Sequence, residues 1–188
     1  MNREEAFEIL KKYVKSDSLI KHALAVEAGM IGYGGLLKED VEKWSITGLI
    51  HDIDYEMYPN EHPYKGQEIL KSEGFDEDII YAVKGHADYT ETDRVSSLDK
   101  GLYAVDELAS FIVACVLVRP SRSFDDLEVK SVKKKIKDKA FAKGVDRDLI
   151  KKSAEEFDMD LTIHIENMIG FLKNREKELK EMGYSLIE

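Results

Sequence analysis

Apolar residues recur at helical spacing along almost the whole of this chain. No segment shows the period-two alternation of a strand between turn signals. Only three prolines occur, at 59, 63 and 120, so little interrupts a helix. Ala6, Ile9, Leu10 and Tyr13 form one face of a first helix. A second runs from about Ser18, its expected N-cap, through "LIKHALAVEAGMIG" to a stop at Gly34-Gly35. "EDVEKWSITGLIHDI" makes a third, and "PYKGQEILKSEG" a fourth, with Pro63 in its first turn and Gly74 at its end. "DEDIIYAVKGHA" is a fifth, followed by the loop "DYTETDRVSS". A long apolar helix from about Leu98 to Val118 is broken by Arg119-Pro120. "DDLEVKSVKKKIKDKAF", "VDRDLIKKSAEEF" and "DMDLTIHIENMIGFLKNREKELKEMG" complete the chain. With no linker, repeat or low-complexity segment, the expectation is all-α: a single compact helical bundle of eight or nine helices over residues 1–188.

Composition narrows what such a bundle does. The 188 residues are 43% hydrophobic and 35% charged, the balance of a soluble globular chain with a sizeable core. The longest uncharged apolar stretch, Leu108 to Val118, falls well short of the roughly 20 residues a membrane span needs. The opening "MNREEAFEILKKYVKSD" is charged from residue 3 and has no signal-peptide core, so the expected location is cytoplasmic, with no membrane partner. The single Cys115 excludes an internal disulfide and reads as a buried, inert thiol. A net charge of −10 argues against broad nucleic-acid binding. It does not exclude a small anionic substrate, because local charge and metal ions decide that case. Nothing in the pattern sets an oligomeric state.

Four of the five histidines and two aspartates stand out. His22 lies in the second helix, on the side of Leu19, Val26 and Met30; His51 and Asp52 end the third; His62 starts the fourth; His86 is near the end of the fifth; Asp106 is in the middle of the sixth. Helix-borne side chains of these types are how metal centres are built inside bundles. Adjacent helical residues point about 100° apart, so His51 and Asp52 meet at one spot only near a helix end, or serve two neighbouring ions. A carboxylate bridges two metals, whereas an imidazole gives one nitrogen to one. Four imidazoles with two carboxylates suit Fe, Mn, Zn, Co or Ni better than Mg or Ca.

From about residue 18 to about 120, these residues resemble the HD-domain metal-dependent phosphohydrolases. His22, the "HD" at 51–52 and Asp106 match the H…HD…D signature. "HDID" resembles the HDIG variant with Asp54 in the glycine position; "HPYKGQEIL" resembles HPxxGAxIL; "VKGHADY" resembles the GHHE segment, with Ala87 replacing the second histidine. The resemblance implies an HD-type bundle, with the helices at about 125–183 packed on the signature region. It implies a first metal held by His22, His51, Asp52 and Asp106, and a second held by Asp52, His62 and His86. His51 and Asp52 would then be catalytic as well as ligating. The implied activity is hydrolysis of a phosphomonoester or phosphoanhydride of a small metabolite, a nucleotide above all, by attack of metal-bound hydroxide with one or two divalent transition ions. Alternatives are a phosphodiesterase, a dinucleoside polyphosphate hydrolase, or a non-catalytic metal-loaded ligand-binding or regulatory module. The GYP segment of cyclic-dinucleotide phosphodiesterases is absent.

The remaining candidates concern substrate. Tyr103 shares the face of Asp106, Lys100 lies nearer Glu107's side, and Arg119 and Arg122 follow the same helix with the fork geometry that suits phosphate. Glu107 is placed to orient a histidine. The lysines at 130–139 read as the solvated face of an amphipathic helix. Asp54 and Glu56 read as a solvated loop, and His164 as a helix-flank residue near the core.

Overall fold

The computed structural model describes residues 1–188. It contains α1 (Arg3–Tyr13), α2 (Asp17–Leu37), α3 (Val41–Ile50), α4 (Tyr64–Glu73), α5 (Glu77–Gly85), α6 (Ser97–Leu117), α7 (Val129–Lys137), α8 (Arg147–Glu156) and α9 (Leu161–Glu181), with one 3-10 turn at Asp88–Thr90 and no strand. The all-α expectation therefore holds, at nine helices. No helix is long and apolar enough to cross a membrane.

Side-chain caps start five of the nine helices, α1, α3, α6, α8 and α9. Asn2 and Glu5 form a reciprocal cap on α1, and Ser96 and Asp99 do the same on α6. Two boundaries differ from the sequence expectation. The N-cap residue of α2 is Ser16, not Ser18, and the helix runs past Gly34-Gly35 to Leu37. There Lys38 takes the left-handed conformation, φ 59°, and its N–H reaches the carbonyls of Gly34 and Gly35. The helix continues through both glycines, and at Gly34 it packs closely on α3, where an added Cβ would lie 3.2 Å from Trp44. Helix α3 ends at Ile50, and residues 51–57 form turns instead of a further helical turn. Pro63 precedes α4 rather than opening its first turn, and the His62-Pro63 peptide is cis.

Helices α2 and α6 cross at the centre, and α3 lies along α2. Every residue from Ala23 to Met30 in α2 and from Trp44 to Ile50 in α3 is buried, the signature of helices enclosed on all sides. Two glycines make these approaches possible. A Cβ on Gly48 would lie 2.8 Å from Met30 Cγ and 3.0 Å from the backbone of Glu27. A Cβ on Gly29 would lie 2.5 Å from Val105 Cγ1. Gly48 stands one turn before His51 and Gly29 two turns after His22, so the close contacts draw α3 and α6 onto α2 where the ligating types sit.

The C-terminal helices join the same core, whose buried apolar residues form one cluster from Ala6 to Ile187. A fully buried carboxylate also ties the ends together. Glu27 of α2 accepts from Arg3 at 2.7 and 2.9 Å, from Ser45 at 2.7 Å and from Arg175 of α9 at 3.1 Å. A buried charge is tolerable only when its oxygens are answered in this way.

Candidate metal centre

The six candidate ligand side chains converge from α2, the end of α3, the turn before α4, the end of α5 and α6. His22 Nε2 and His51 Nε2 stand 3.1 Å apart, and His62 Nε2 and His86 Nε2 stand 3.2 Å apart. Asp52 lies between the two pairs. Its Oδ2 is 3.4 Å from both His22 and His51, while its Oδ1 is 3.4 Å from His62 and 3.6 Å from His86. Asp106 Oδ1 closes the first group, 3.1 Å from His22 and 3.5 Å from His51. The adjacency of His51 and Asp52 is thus explained. His51 is the C-cap of α3, and the chain turns there, so both side chains reach the centre.

The histidines are oriented by their other nitrogen. His51 and His86 occupy the C-cap positions of α3 and α5, and each donates Nδ1–H to the carbonyl three residues back. His51 reaches Gly48 at 2.8 Å and His86 reaches Val83 at 2.5 Å. Those carbonyls belong to a last helical turn and lack an amide partner within it. His62 Nδ1–H donates to Asp54 at 2.7 Å, and His22 Nδ1 lies 2.9 Å from Ser110 Oγ. With Nδ1 holding the proton, Nε2 is left with its lone pair.

This donor set fits metal ions. Lone pairs facing one another at 3.1–3.2 Å repel unless positive charge lies between them. Bond lengths near 2.1 Å to a tetrahedral or octahedral ion put neighbouring ligand atoms about 3.0–3.4 Å apart, close to the spacings found. His22, His51 and Asp52, and again Asp52, His62 and His86, each offer ligand atoms within 4.8 Å of one another. The electrostatics agree. Burial works against charging His22, yet hydrogen bonding to Asp106 and Asp52 carries its pKa up to about 9. His51 is raised well above its ordinary value by the same two carboxylates despite its burial. Asp52 and Asp106 are held far below the usual carboxylate range by the histidines, again against their burial. The two carboxylates thus favour positive charge beside them, which a divalent metal could supply in place of protons.

His22, Asp52 and Asp106 keep about a fifth of their side-chain surface exposed, 19–22%, whereas His51 has none and His62 and His86 have 8% and 5%. The centre therefore opens on the α2–α6 side and is floored by buried imidazoles. An apolar groove of about 230 Å³ starts at His22 and Ser110 and continues past Val113, Ala114 and Leu117. Around His62 the surface is aromatic. The Tyr55 ring sits edge-on at 5.3 Å, Tyr89 donates its hydroxyl to the His62 carbonyl at 2.5 Å, and Tyr64 follows two residues on; all three are exposed.

The other sequence candidates lie further out. Tyr103 is buried, donates to Asp88 at 2.9 Å and carries the Arg94 guanidinium 3.5 Å from its ring centre. Lys100 is half-buried, about 9 Å before Asp106 along the α6 axis. Arg119 and Arg122 are not brought to the centre. Arg119 is about 20 Å beyond Asp106 along the same axis, and its guanidinium grips Asp126 at 2.9 Å. Arg122 donates to the Ile187 carbonyl at 2.9 Å. Glu107 meets the backbone at Asp146 instead of a histidine, and burial with the neighbouring Asp106 pushes its pKa up to about 7.

Sequence reasoning missed the roles of four residues. Asp54 is fully buried, not a solvated loop residue, because α4 packs over it and Gly66 N–H donates to its Oδ2 at 2.6 Å. Glu56 is exposed, but it accepts from the backbone of Lys15 and Ser16 at 2.8 and 3.0 Å and so fixes the α1–α2 junction. Ser110 stands one turn after Asp106, so its i, i+4 spacing carried a usable signal. Arg94, which donates to the Gly85 carbonyl at 2.7 Å and pairs with Glu156 and Asp88, sits in an irregular segment where spacing carries none.

Residues 19–111 match the family model of the HD domain. No solved structure matches the chain.

Proposed function

We propose that this chain, whose residues 19–111 match the HD-domain family, is a metal-dependent phosphohydrolase that hydrolyses a phosphomonoester or phosphoanhydride of a small metabolite, with a nucleotide as the leading substrate. One observation carries the reading. Asp52 turns one oxygen to His22 and His51 and the other to His62 and His86, the arrangement of a carboxylate shared by two divalent transition ions. His22, His51, Asp52 and Asp106 would hold one ion, and Asp52, His62 and His86 the other. Divalent ions held there would supply a water acidic enough to act as a nucleophile at neutral pH and positive charge to offset the phosphate.

The chain's own residues supply the rest. Gly48, Val83 and Asp54 keep three imidazoles in the ligating tautomer. The buried His51, His62 and His86 close the floor, which leaves the α2–α6 side for the phosphate to approach. Tyr55, Tyr64 and Tyr89, exposed beside His62, offer aromatic faces for a planar base, which supports a nucleotide over a sugar phosphate. We take the whole chain as one domain, since the apolar cluster runs through the signature region and α7–α9 alike. We place it in the cytoplasm, where the lone Cys115 stays reduced.

The test is metal analysis of the purified protein together with an assay on a panel of phosphoesters. His51→Ala and Asp52→Ala are expected to lose most bound transition metal and all hydrolysis. Full metal occupancy in both variants would overturn the reading.

A further inference from the structure

Each imidazole at the centre must keep its proton on Nδ1 to present a lone pair through Nε2. His51 and His86 owe this to carbonyls at the ends of their own helices, and His22 to Ser110 of the neighbouring α6. His62 is placed differently. It lies in the irregular stretch between α3 and α4, where no preceding helical turn offers a carbonyl. Its Nδ1 partner is Asp54 Oδ1, at 2.7 Å. The other oxygen of Asp54 accepts the N–H of Gly66 at 2.6 Å. Gly66 is the third residue of α4, whose N–H has no acceptor inside the helix. Asp54 is fully buried, and a Cβ on Gly66 would come within 3.1 Å of its carboxyl carbon.

We propose that Asp54 is the positioning residue that makes His62 a metal ligand, so that the second ion's affinity depends on a carboxylate that touches neither ion. This rests on the two-ion reading of the centre. The two positions are unequal. The first draws on four side chains, His22, His51, Asp52 and Asp106, and the second on three, Asp52, His62 and His86, with Ala87 next to His86. A position with three protein ligands loses more when one is disoriented. The chemistry also separates aspartate from its isostere. Both partners of Asp54 are donors, so both of its positions must accept. Asparagine has one accepting atom and one donating group, and whichever way it turns, it sets a donor against a donor.

The test is titration of the metal-free full chain with Co²⁺, read by calorimetry and by cobalt absorption, which report stoichiometry and two dissociation constants without any turnover. Wild type is expected to bind two ions per chain. In Asp54→Asn the first constant should stay within about twofold and the second should weaken roughly 10- to 100-fold, the usual effect of removing a ligand's outer partner. Gly66→Ala, which displaces the carboxylate without removing it, should weaken the second constant less. A merely structural role, capping α4, would lower the melting temperature of the metal-free protein and leave the ratio of the two constants unchanged. A second constant in Asp54→Asn within twofold of wild type, or equal weakening of both, overturns the proposal. If Asp54→Asn does not fold, Gly66→Ala decides by the same ratio. A wild type that takes up only one ion defeats the two-ion reading and the proposal together. Two ions bound equally well by wild type and variant defeat the proposal alone.

Discussion

His164 makes the stability of this protein depend on pH in a way that can be worked from its surroundings. The ring is fully buried on α9. Its Nε2–H donates to the Ala104 carbonyl at 2.9 Å, and its Nδ1 accepts the Tyr33 hydroxyl at 2.5 Å. One nitrogen gives and the other receives, so the pocket is built for the neutral ring, and no carboxylate answers a charge there. Burial accordingly pushes its pKa from 6.5 down to about 4, against a small opposing pull from the Ala104 carbonyl. The unfolded ring takes up its proton near 6.5, so between that pH and about 4 the unfolded state binds more protons. Stability therefore rises with pH across this window; it is fully present above 6.5 and lost as pH falls toward 4. A gap of about 2.5 in pKa at about 1.4 kcal/mol each gives roughly 3.5 kcal/mol. That is a large part of the ~5–15 kcal/mol that holds a domain folded.

The assay is urea unfolding of wild type and His164→Gln at pH 7.5, 6.5, 5.5 and 4.5. Glutamine keeps a donor and an acceptor but cannot protonate. Titration of the clustered histidines and aspartates at the candidate metal centre is common to both proteins and drops out of the difference. The wild-type advantage should shrink steadily below pH 6.5, by roughly 2.5 kcal/mol at pH 4.5. A difference that stays flat with pH would refute the claim that the fold holds this ring neutral.

Two further outcomes follow from the packing. Arg119→Ala and Arg122→Ala are each expected to leave kcat/KM on the best phosphoester within about twofold, since their partners are Asp126 and Ile187; a tenfold loss at unchanged metal content would restore a substrate contact. Gly29→Ala should lower stability by about 1–3 kcal/mol through overpacking, because its Cβ would meet Val105 at 2.5 Å and Met168 at 2.8 Å; an unchanged denaturation midpoint would show that α2 and α6 approach less closely than described.

What could be read from the chain alone was whatever nearest neighbours determine. Helical periodicity depends on side chains three and four apart, so the helices were legible, and so were Gly74 and the proline break after α6. The ligating types and their order are also local chemistry, and the resemblance they carry agrees with the HD-domain match over residues 19–111. Helix ends were less legible. Ser16 and Ser18 look alike in sequence, and Gly34-Gly35 reads as a stop although α2 continues through it and packs on Trp44. Polar residues in irregular segments were not legible at all. Asp54 and Glu56 lie two positions apart in one turn, yet one is fully buried and the other exposed. The difference is α4, which folds over the first and not the second. Arg119 looked suited to phosphate until the chain placed Asp126 in its fork. Tertiary structure alone decided which oxygen of Asp52 faces which pair of histidines. The partner of a charged or polar group is set by whatever segment packs over it, and that segment is seldom within a helical turn in the sequence.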